Sequence, residues 1–171
     1  MAGKREEGVI ICLAIDLGVV LHIAVVTGTS TNPVLLELAK IEWRGPEHTA
    51  AVEDLIEEII ARRGVTVMSF EETFSAGTKR KGWLRDVGRA QEHQAGYLEG
   101  CFGRRVNVAR VPPVTAPEAL VAWHQFGRPE WAAGRKGEHY RDALGVALKA
   151  MVRIEDRKRD GAAMAAGRER P

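Results

Sequence analysis

The stretch GVIICLAIDLGVVLHIAVVTG, residues 8–28, indicates the centre of the fold. Its first part, up to Asp16, is a nearly unbroken apolar run rich in branched side chains, which is typical of a strand buried on both faces of a sheet. The second part follows Gly18 with almost no spacer, so the two parts are predicted to form an antiparallel hairpin. Asp16 therefore ends a central strand beside a turn.

The rest of the chain alternates between strand and helix patterns. VLLELAKIEW (34–43) predicts an edge strand, and VTVMSFEE (65–72) and RRVNVARV (104–111) predict a fourth and a fifth strand. Helices are predicted over residues 47–64, 83–103, 118–126 and 138–156. The order βββαβαβαα implies a mixed five-stranded sheet with helices on both faces.

Composition indicates one soluble domain: 171 residues, of which 45% are hydrophobic and 28% charged. We expect an N-terminal extension at residues 1–8, a domain over residues 9–156, and a tail at residues 157–171 that is flexible or forms a fraying helix end. No apolar run is long enough to span a bilayer and no export signal is recognisable, so a cytoplasmic location is predicted. Cys12 and Cys101 form no CxxC pair, which argues against a disulfide framework or zinc site.

Charge is distributed unevenly along the chain. The formal net charge is +2, but residues 41–72 carry −5 and residues 74–110 carry +5. A segregated basic half suits a polyanionic partner such as nucleic acid. Solvated helix faces give the same pattern, so composition alone leaves both interpretations open.

The last predicted helix carries ionisable residues on its apolar face. In GEHYRDALGVALKAM, residues 137–151, the apolar stripe continues one turn back through Asp142 and His139. Asp16 and Glu71 lie at the ends of the first and fourth strands. If these strands are parallel neighbours, both carboxylates lie at one end of the sheet, beneath the start of that helix.

Several carboxylates and an imidazole on one rim need a counter-charge at neutral pH. Two divalent cations about 3.5–4 Å apart are the usual solution for phosphodiester hydrolysis. One ion activates a water molecule, and the other stabilises the leaving 3′-oxygen. Oxygen ligands favour Mg²⁺, and the imidazole adds tolerance for Mn²⁺.

Each of these residues also has a purely structural explanation. Asp16, close to a glycine, can satisfy turn amides, and Glu71 and Glu72 can be solvated charges at a strand end. His139 and Asp142 can cap a helix start and interact with its dipole. Singly, each structural explanation is the simpler one, but chance is a poor explanation for all of them occurring in the order strand end, strand end, helix start.

Three segments resemble the active-site motifs of RuvC-type Holliday junction resolvases: AIDLG (14–18), FEETF (70–74) and EHYRDALGVAL (138–148). The element order is similar to this family over most of residues 9–155. The resemblance implies an α/β, ribonuclease H-like fold, with a mixed five-stranded sheet flanked by helices. It also implies a homodimer, held by the glycine-containing helix around residues 84–100, that acts on four-way or branched DNA.

The resemblance implies a crossover junction endodeoxyribonuclease that serves DNA recombination and repair by paired, symmetric nicks. Phe74 matches the aromatic residue that wedges into the junction centre. Two Mg²⁺ ions per active site are implied, and Mn²⁺ is expected to support activity as well. The implied catalytic and metal-binding residues are Asp16, Glu71, His139 and Asp142.

Two segments depart from the family pattern. VVLH (19–22) replaces the polar and basic residues common after the first motif, and VPPVTAPEALVAW (111–123) lacks the usual lysine. Such divergence suits a phage-encoded relative. We interpret three tryptophans, Trp83, Trp123 and Trp131, as packing residues. Besides Phe74, the candidate DNA-binding residues are Lys79, Arg80, Lys81, Arg85, Arg128, Arg135 and Lys136.

Other functions compete with junction resolution. A nuclease of the same fold acting on other branched DNA or on RNA–DNA hybrids would use the same metal residues, and the predicted dimer helix and Phe74 favour the junction. An actin-like ATPase or kinase needs two lobes, and this chain has the length of one. A non-catalytic protein that binds branched DNA would have no reason to keep four metal ligands.

Overall fold

The computed structural model describes residues 9–72 and 82–168, without the side chains of residues 82–85 and 163–168. Within these ranges the strands are β1 Ile11–Asp16, β2 Val20–Gly28, β3 Pro33–Glu42, β4 Val67–Glu71 and β5 Asn107–Val111. The helices are α1 Thr49–Arg63, α2 Gly82–Phe102, α3 Ala116–Gln125 and α4 Glu138–Arg168. Short 3-10 turns occupy Pro46–His48, Glu130–Ala132 and Arg135–Gly137.

The strands form one mixed sheet in the order β3-β2-β1-β4-β5. β1 is antiparallel to β2 and parallel to β4, so the predicted hairpin and the predicted parallel neighbours are both confirmed. Asp16 pairs with His22 across the hairpin, and Ile15 pairs with Phe70 of β4. Asp16 and Glu71 each follow this last pair by one residue, so both lie at the same rim of the sheet.

Side chains of β1 alternate between two buried layers. Leu13 and Ile15 face α1 and α2, whereas Cys12 and Ala14 face α3 and α4. All four of these side chains are fully buried. Burial of a leucine or isoleucine side chain stabilises the folded state by about 1.5–3 kcal/mol. The small residues on the second face let α4 cross β1 closely. The two pairs of helices cover opposite faces of the sheet, which confirms the prediction of helices on both faces.

The helix ends follow local chemistry except at the C-terminus. α1 ends at Arg63 because Gly64 adopts a left-handed conformation with φ 65°, and its N–H donates to the Ile60 carbonyl oxygen. α4 was predicted to end near Asp156, and this is wrong, since the helix continues to Arg168.

The proposed domain limits stay predictions. None of the described helices is long and apolar enough to cross a membrane.

Candidate active site

The start of α4 lies over the rim where β1 and β4 end. The Nδ1 atom of His139 donates to the Oδ2 atom of Asp16 at 2.9 Å, because an ionised carboxylate can only accept. The same nitrogen lies 3.9 Å from the Oδ2 atom of Asp142, three residues along α4. Three of the four predicted ligands, from two elements distant in the chain, are thus brought into contact.

A close backbone approach positions the start of α4. A Cβ atom on Gly137 would lie 2.2 Å from the carbonyl carbon of Ala132, so only glycine fits there. The Nη1 atom of Arg141 donates to the carbonyl oxygens of Ala132 at 2.6 Å and Gly134 at 2.7 Å. The loop before α4 is therefore tied to its first turn, which carries His139.

Glu71, the fourth predicted ligand, is oriented by the loop after β5. Its Oε1 atom accepts a hydrogen bond from the N–H of Val114 at 2.8 Å. Gly145 of α4 packs against that loop, since a Cβ atom there would lie 2.5 Å from the Cγ1 atom of Val114. Glu72 points elsewhere, with Oε1 3.7 Å from the Nη1 atom of Arg153. This supports Glu71, and not Glu72, as the carboxylate of the site.

Helix α2 fixes the turn that follows Asp16. The Nε2 atom of Gln91 donates to the carbonyl oxygen of Leu17 at 2.8 Å, and that of Gln94 donates to the carbonyl oxygen of Gly18 at 2.9 Å. These amides hold the backbone directly beyond Asp16. Helix α2 therefore fixes the backbone after Asp16, and α4 supplies the side chain that contacts its carboxylate.

The site concentrates negative charge. Burial raises the pKa of Asp142 to about 6, with further contributions from the nearby charges of Asp16 and Glu71. Burial also raises the pKa of Glu71, and the charge of Asp16 adds to the effect. The hydrogen bond to Asp16 raises the pKa of His139. Burial and the negative charge of Asp16 thus both oppose ionisation of Asp142 and Glu71 at this rim.

This donor set fits a divalent cation. Three carboxylates and an imidazole supply mostly hard oxygen ligands and one borderline nitrogen, which suit Mg²⁺ and Mn²⁺. A bound cation would also offset the burial and the repulsion that raise the pKa of Asp142 and Glu71. The side chain of Asp16 is only 16% exposed, whereas that of His139 is 62% exposed, so the site opens towards solvent on the α4 side.

His22 joins this cluster and was not singled out from the sequence. One ligand atom each from Asp16, His22 and His139 lie within 4.8 Å of one another. The rings of His22 and His139 stack with centroids 5.0 Å apart and an interplanar angle of 22°. Burial, followed by the charge of His139, lowers the pKa of His22. The signal in the sequence is the hairpin register, which pairs residue 16 with residue 22.

The described DNA-binding candidates are exposed but differ in position. Arg135 and Lys136 lie in the 3-10 turn directly before α4, three or four residues from His139. The Nε atom of Arg128 donates to the Nδ1 atom of His124 at 2.9 Å. Trp131 is 65% exposed, so its interpretation as a packing residue is wrong. Phe74, Lys79, Arg80 and Lys81, together with the side chain of Arg85, lie outside the described residues.

The basic half identified in the sequence is partly neutralised by ion pairs. Arg105 contacts Glu57 of α1. Arg110 of β5 contacts Glu92 at 2.8 Å and Glu99 at 2.9 Å, both on α2. These two arginines therefore link neighbouring elements of the fold. Because their charges are already paired, they do not support binding of a polyanionic partner.

Comparisons with known proteins are informative at the level of structure. No protein-family model matches the sequence, and no curated protein matches it. Among solved structures, Thermus thermophilus RuvC in complex with a Holliday junction substrate superposes with a TM-score of 0.59 at 20% identity, over 82% of this chain and 91% of that one. The fowlpox virus Holliday junction resolvase gives a TM-score of 0.53 at 15% identity, over 83% of this chain and 98% of that one.

These likenesses cover most of the chain, and they agree with the mixed five-stranded sheet observed here. A second structure of Thermus thermophilus RuvC gives a TM-score of 0.55 at 18% identity, over 82% of this chain and 92% of that one. The predicted α/β fold with a mixed five-stranded sheet is confirmed. The chain therefore has the fold of the RuvC-type Holliday junction resolvases.

Proposed function

We propose that this protein is a homodimeric, metal-dependent endonuclease that resolves four-way DNA junctions by paired, symmetric nicks. The observation that carries this proposal is the meeting of His139 and Asp142 with Asp16 at the rim of the sheet. Glu71 lies close enough for its charge to raise the pKa of Asp142. A helix that only packed on the sheet would have no need of ionisable groups there.

In this proposal Asp16, Glu71, His139 and Asp142 hold two divalent ions, Mg²⁺ or Mn²⁺. The chemistry that such ions supply when bound is activation of water and stabilisation of the leaving 3′-oxygen. The protein's own contribution is orientation. The N–H of Val114 holds the Glu71 carboxylate, and α2 holds the turn after Asp16. Metal-ligating carboxylates positioned in this way lose little freedom on binding their ion.

The partner proposed from the fold is four-way or branched DNA. Arg135 and Lys136 precede His139 directly and are exposed, which supports phosphate contacts beside the site. Trp131, exposed in the same loop, offers an aromatic face for a base. Phe74, Lys79, Arg80, Lys81, Arg85 and Arg128 complete the proposed DNA-binding set. Action in the cytoplasm and origin in a phage genome stay predictions.

Two copies of the site are needed for paired nicks, so we propose a dimer formed through α2. Cβ atoms added to Gly96 or Gly100 would meet no other residue within 4 Å. Both glycines are exposed on a helix that otherwise packs against the core through residues such as Ala95 and Leu98. One face of α2 therefore packs in the core, and the other is exposed and carries two glycines without side chains. Such an exposed face supports close approach of a second copy.

The test is cleavage of a labelled four-way junction, compared with linear duplex, a replication fork and an RNA–DNA hybrid. Each substrate is incubated with Mg²⁺, with Mn²⁺ and with EDTA. Paired metal-dependent nicks near the junction centre, with the duplex intact, are the expected result. Cleavage of the hybrid or of every duplex would keep the metal site and contradict junction selectivity. Junction binding without cleavage in the presence of either metal would contradict the proposed endonuclease activity.

A further inference from the structure

The metal site of the proposed nuclease has an imidazole on its β2 side. We propose that His22 is a ligand of that metal centre, together with Asp16 and His139, and that it shifts the centre's preference from Mg²⁺ towards Mn²⁺. The inference rests on the proposed function only in locating the centre. It concerns a residue outside the four motif positions.

Geometry supplies the first support. Potential ligand atoms of Asp16, His22 and His139 all lie within 4.8 Å of one another, a separation that a single cation can bridge. Asp16 and His22 are direct partners across the hairpin, so strand pairing keeps their separation constant. Neighbouring side chains on paired strands lie about 4.5–5.5 Å apart at Cβ. This part of the centre is therefore built into the sheet.

The surroundings of His22 supply the second support. Its ring lies between His139, which stacks at 5.0 Å, and Tyr140, which presents its edge at 4.9 Å. The Nδ1 atom of His22 is buried and has no hydrogen-bond partner among the residues that the structure describes. The backbone of Val20 also interacts with the ring and raises the pKa of His22. A half-buried imidazole held between two rings, with a ring nitrogen within 4.8 Å of ligand atoms of Asp16 and His139, is an oriented group that can coordinate a cation.

Ligand chemistry then sets the expected preference. Mg²⁺ strongly favours oxygen ligands and retains water, whereas Mn²⁺ accepts imidazole nitrogen more readily. A centre with one imidazole is compatible with either ion. A second imidazole, from His22, adds affinity for Mn²⁺ and little for Mg²⁺.

The experiment measures Mn²⁺ binding to the full-length protein by isothermal titration calorimetry, with Mg²⁺ measured by competition. The variants are His22→Phe, which keeps a ring for stacking on His139 but has no nitrogen, and His22→Ala, which has neither. The control is His124→Phe, on the exposed surface of α3. Thermal unfolding by circular dichroism verifies that each variant is folded. We expect both His22 variants to bind Mn²⁺ about tenfold more weakly or worse, with Mg²⁺ affinity changed less than about twofold.

Three results would overturn the inference. Unchanged Mn²⁺ affinity in His22→Phe would do so, and weakening in His22→Ala alone would assign His22 to stacking instead of ligation. An independent measurement requires no His22 variant: electron spin echo modulation from ¹⁴N on bound Mn²⁺ should show two coupled imidazoles in the wild type. One coupled imidazole in the wild type would also contradict the inference.

The inference and the proposed function fail in distinguishable ways. A protein that cleaves no junction yet binds Mn²⁺ in a His22-dependent manner would contradict the proposed nuclease activity and support His22 as a metal ligand. If the protein resolves junctions, but the wild type and His22→Phe bind Mn²⁺ with equal affinity, the nuclease activity is supported. The role of His22 as a metal ligand is then contradicted.

Discussion

Asp142 is a proposed metal ligand whose replacement should separate DNA binding from cleavage. Asparagine keeps the size of the side chain and removes the charge that a divalent cation needs. We expect Asp142→Asn to lower the rate of junction cleavage by about 10²-fold or more, the size of a lost charge-stabilising group. Junction affinity, measured by fluorescence anisotropy, should change less than about threefold, because phosphate contacts carry most of it.

Asp156→Asn is the matched control for that variant, since Asp156 lies on the same helix and is exposed away from the site. It should cleave at the wild-type rate. Wild-type cleavage by Asp142→Asn would show that the site has been assigned to the wrong residues. Loss of DNA binding in Asp142→Asn alone would show that the carboxylate has a structural role.

Gly137 shows how one absent Cβ atom positions the same helix. An alanine there would collide with the backbone of Ala132, and backbone cannot move aside as a flexible side chain can. We expect Gly137→Ala to lower the free energy of unfolding by about 1–3 kcal/mol and to weaken Mn²⁺ binding through displacement of His139. Urea denaturation and calorimetry measure the two effects.

Gly161→Ala is the control, because a Cβ atom at that helical position meets nothing within 4 Å. Alanine is a better helix former than glycine by about 1 kcal/mol, so this variant should be as stable as the wild type or more stable. Equal stability of Gly137→Ala and the wild type would contradict the close contact with Ala132.

At the scale of elements, Glu118 joins α3 to α4. Its Oε2 atom accepts from the N–H of Thr115 at 2.7 Å, which completes a capping box, and it lies 3.0 Å from the Nζ atom of Lys149. The Thr115 amide, followed by Lys149, lowers the pKa of Glu118 to about 2. Because the folded pKa lies below the ordinary value, the ionised carboxylate stabilises the fold above pH 4.5, and this contribution is lost as pH falls towards 2.

Glu118→Gln keeps an acceptor for the Thr115 amide and removes the charge. We expect the variant to be less stable than the wild type by less than about 1 kcal/mol at pH 7, since the ion pair is solvent-exposed. The difference should shrink as pH falls below 4.5. Urea denaturation across that range measures it, with Glu130→Gln as an exposed control. A difference that stayed constant with pH would contradict a charge-based contribution.

At the scale of the whole molecule, the proposed dimer makes each site one of a pair. If a second copy packs against Gly96 and Gly100, a leucine at Gly96 occurs twice in a symmetric interface and prevents close approach. We expect wild-type protein to show twice the 18.8 kDa chain mass by light scattering and Gly96→Leu to show the single mass. Nicks made by the variant should lose their pairing.

Gly161→Leu, on the exposed part of α4, is the control and should keep the wild-type mass. The Gly96→Leu chain itself should fold, since a Cβ atom at that position meets no other residue of the same chain within 4 Å. A wild-type monomer that still makes paired nicks would contradict the α2 interface. A Gly96→Leu dimer would place the interface elsewhere.

Local pattern determined most of the architecture of this protein. The apolar run ending at Asp16, the stripe of α1 and its Gly64 cap, and the buried face of α4 each arise from periodicity and capping, which act over a few residues. The failure at the C-terminus has the same origin. Residues 157–168 have no apolar stripe, yet they contain strong helix formers and extend a helix already nucleated, so no nucleation cost opposes them.

Tertiary structure alone decided the polar contacts that lie outside the motifs. His22 enters the site through the register of a hairpin, and Glu71 is oriented by the N–H of Val114, which lies 43 residues later in the chain. Arg110 contributes to the positive charge of residues 74–110, but it is paired with two glutamates of α2. Such contacts depend on where distant elements pack. Periodicity specifies the face that a side chain occupies, whereas its partner on that face is set by the packing of the whole chain.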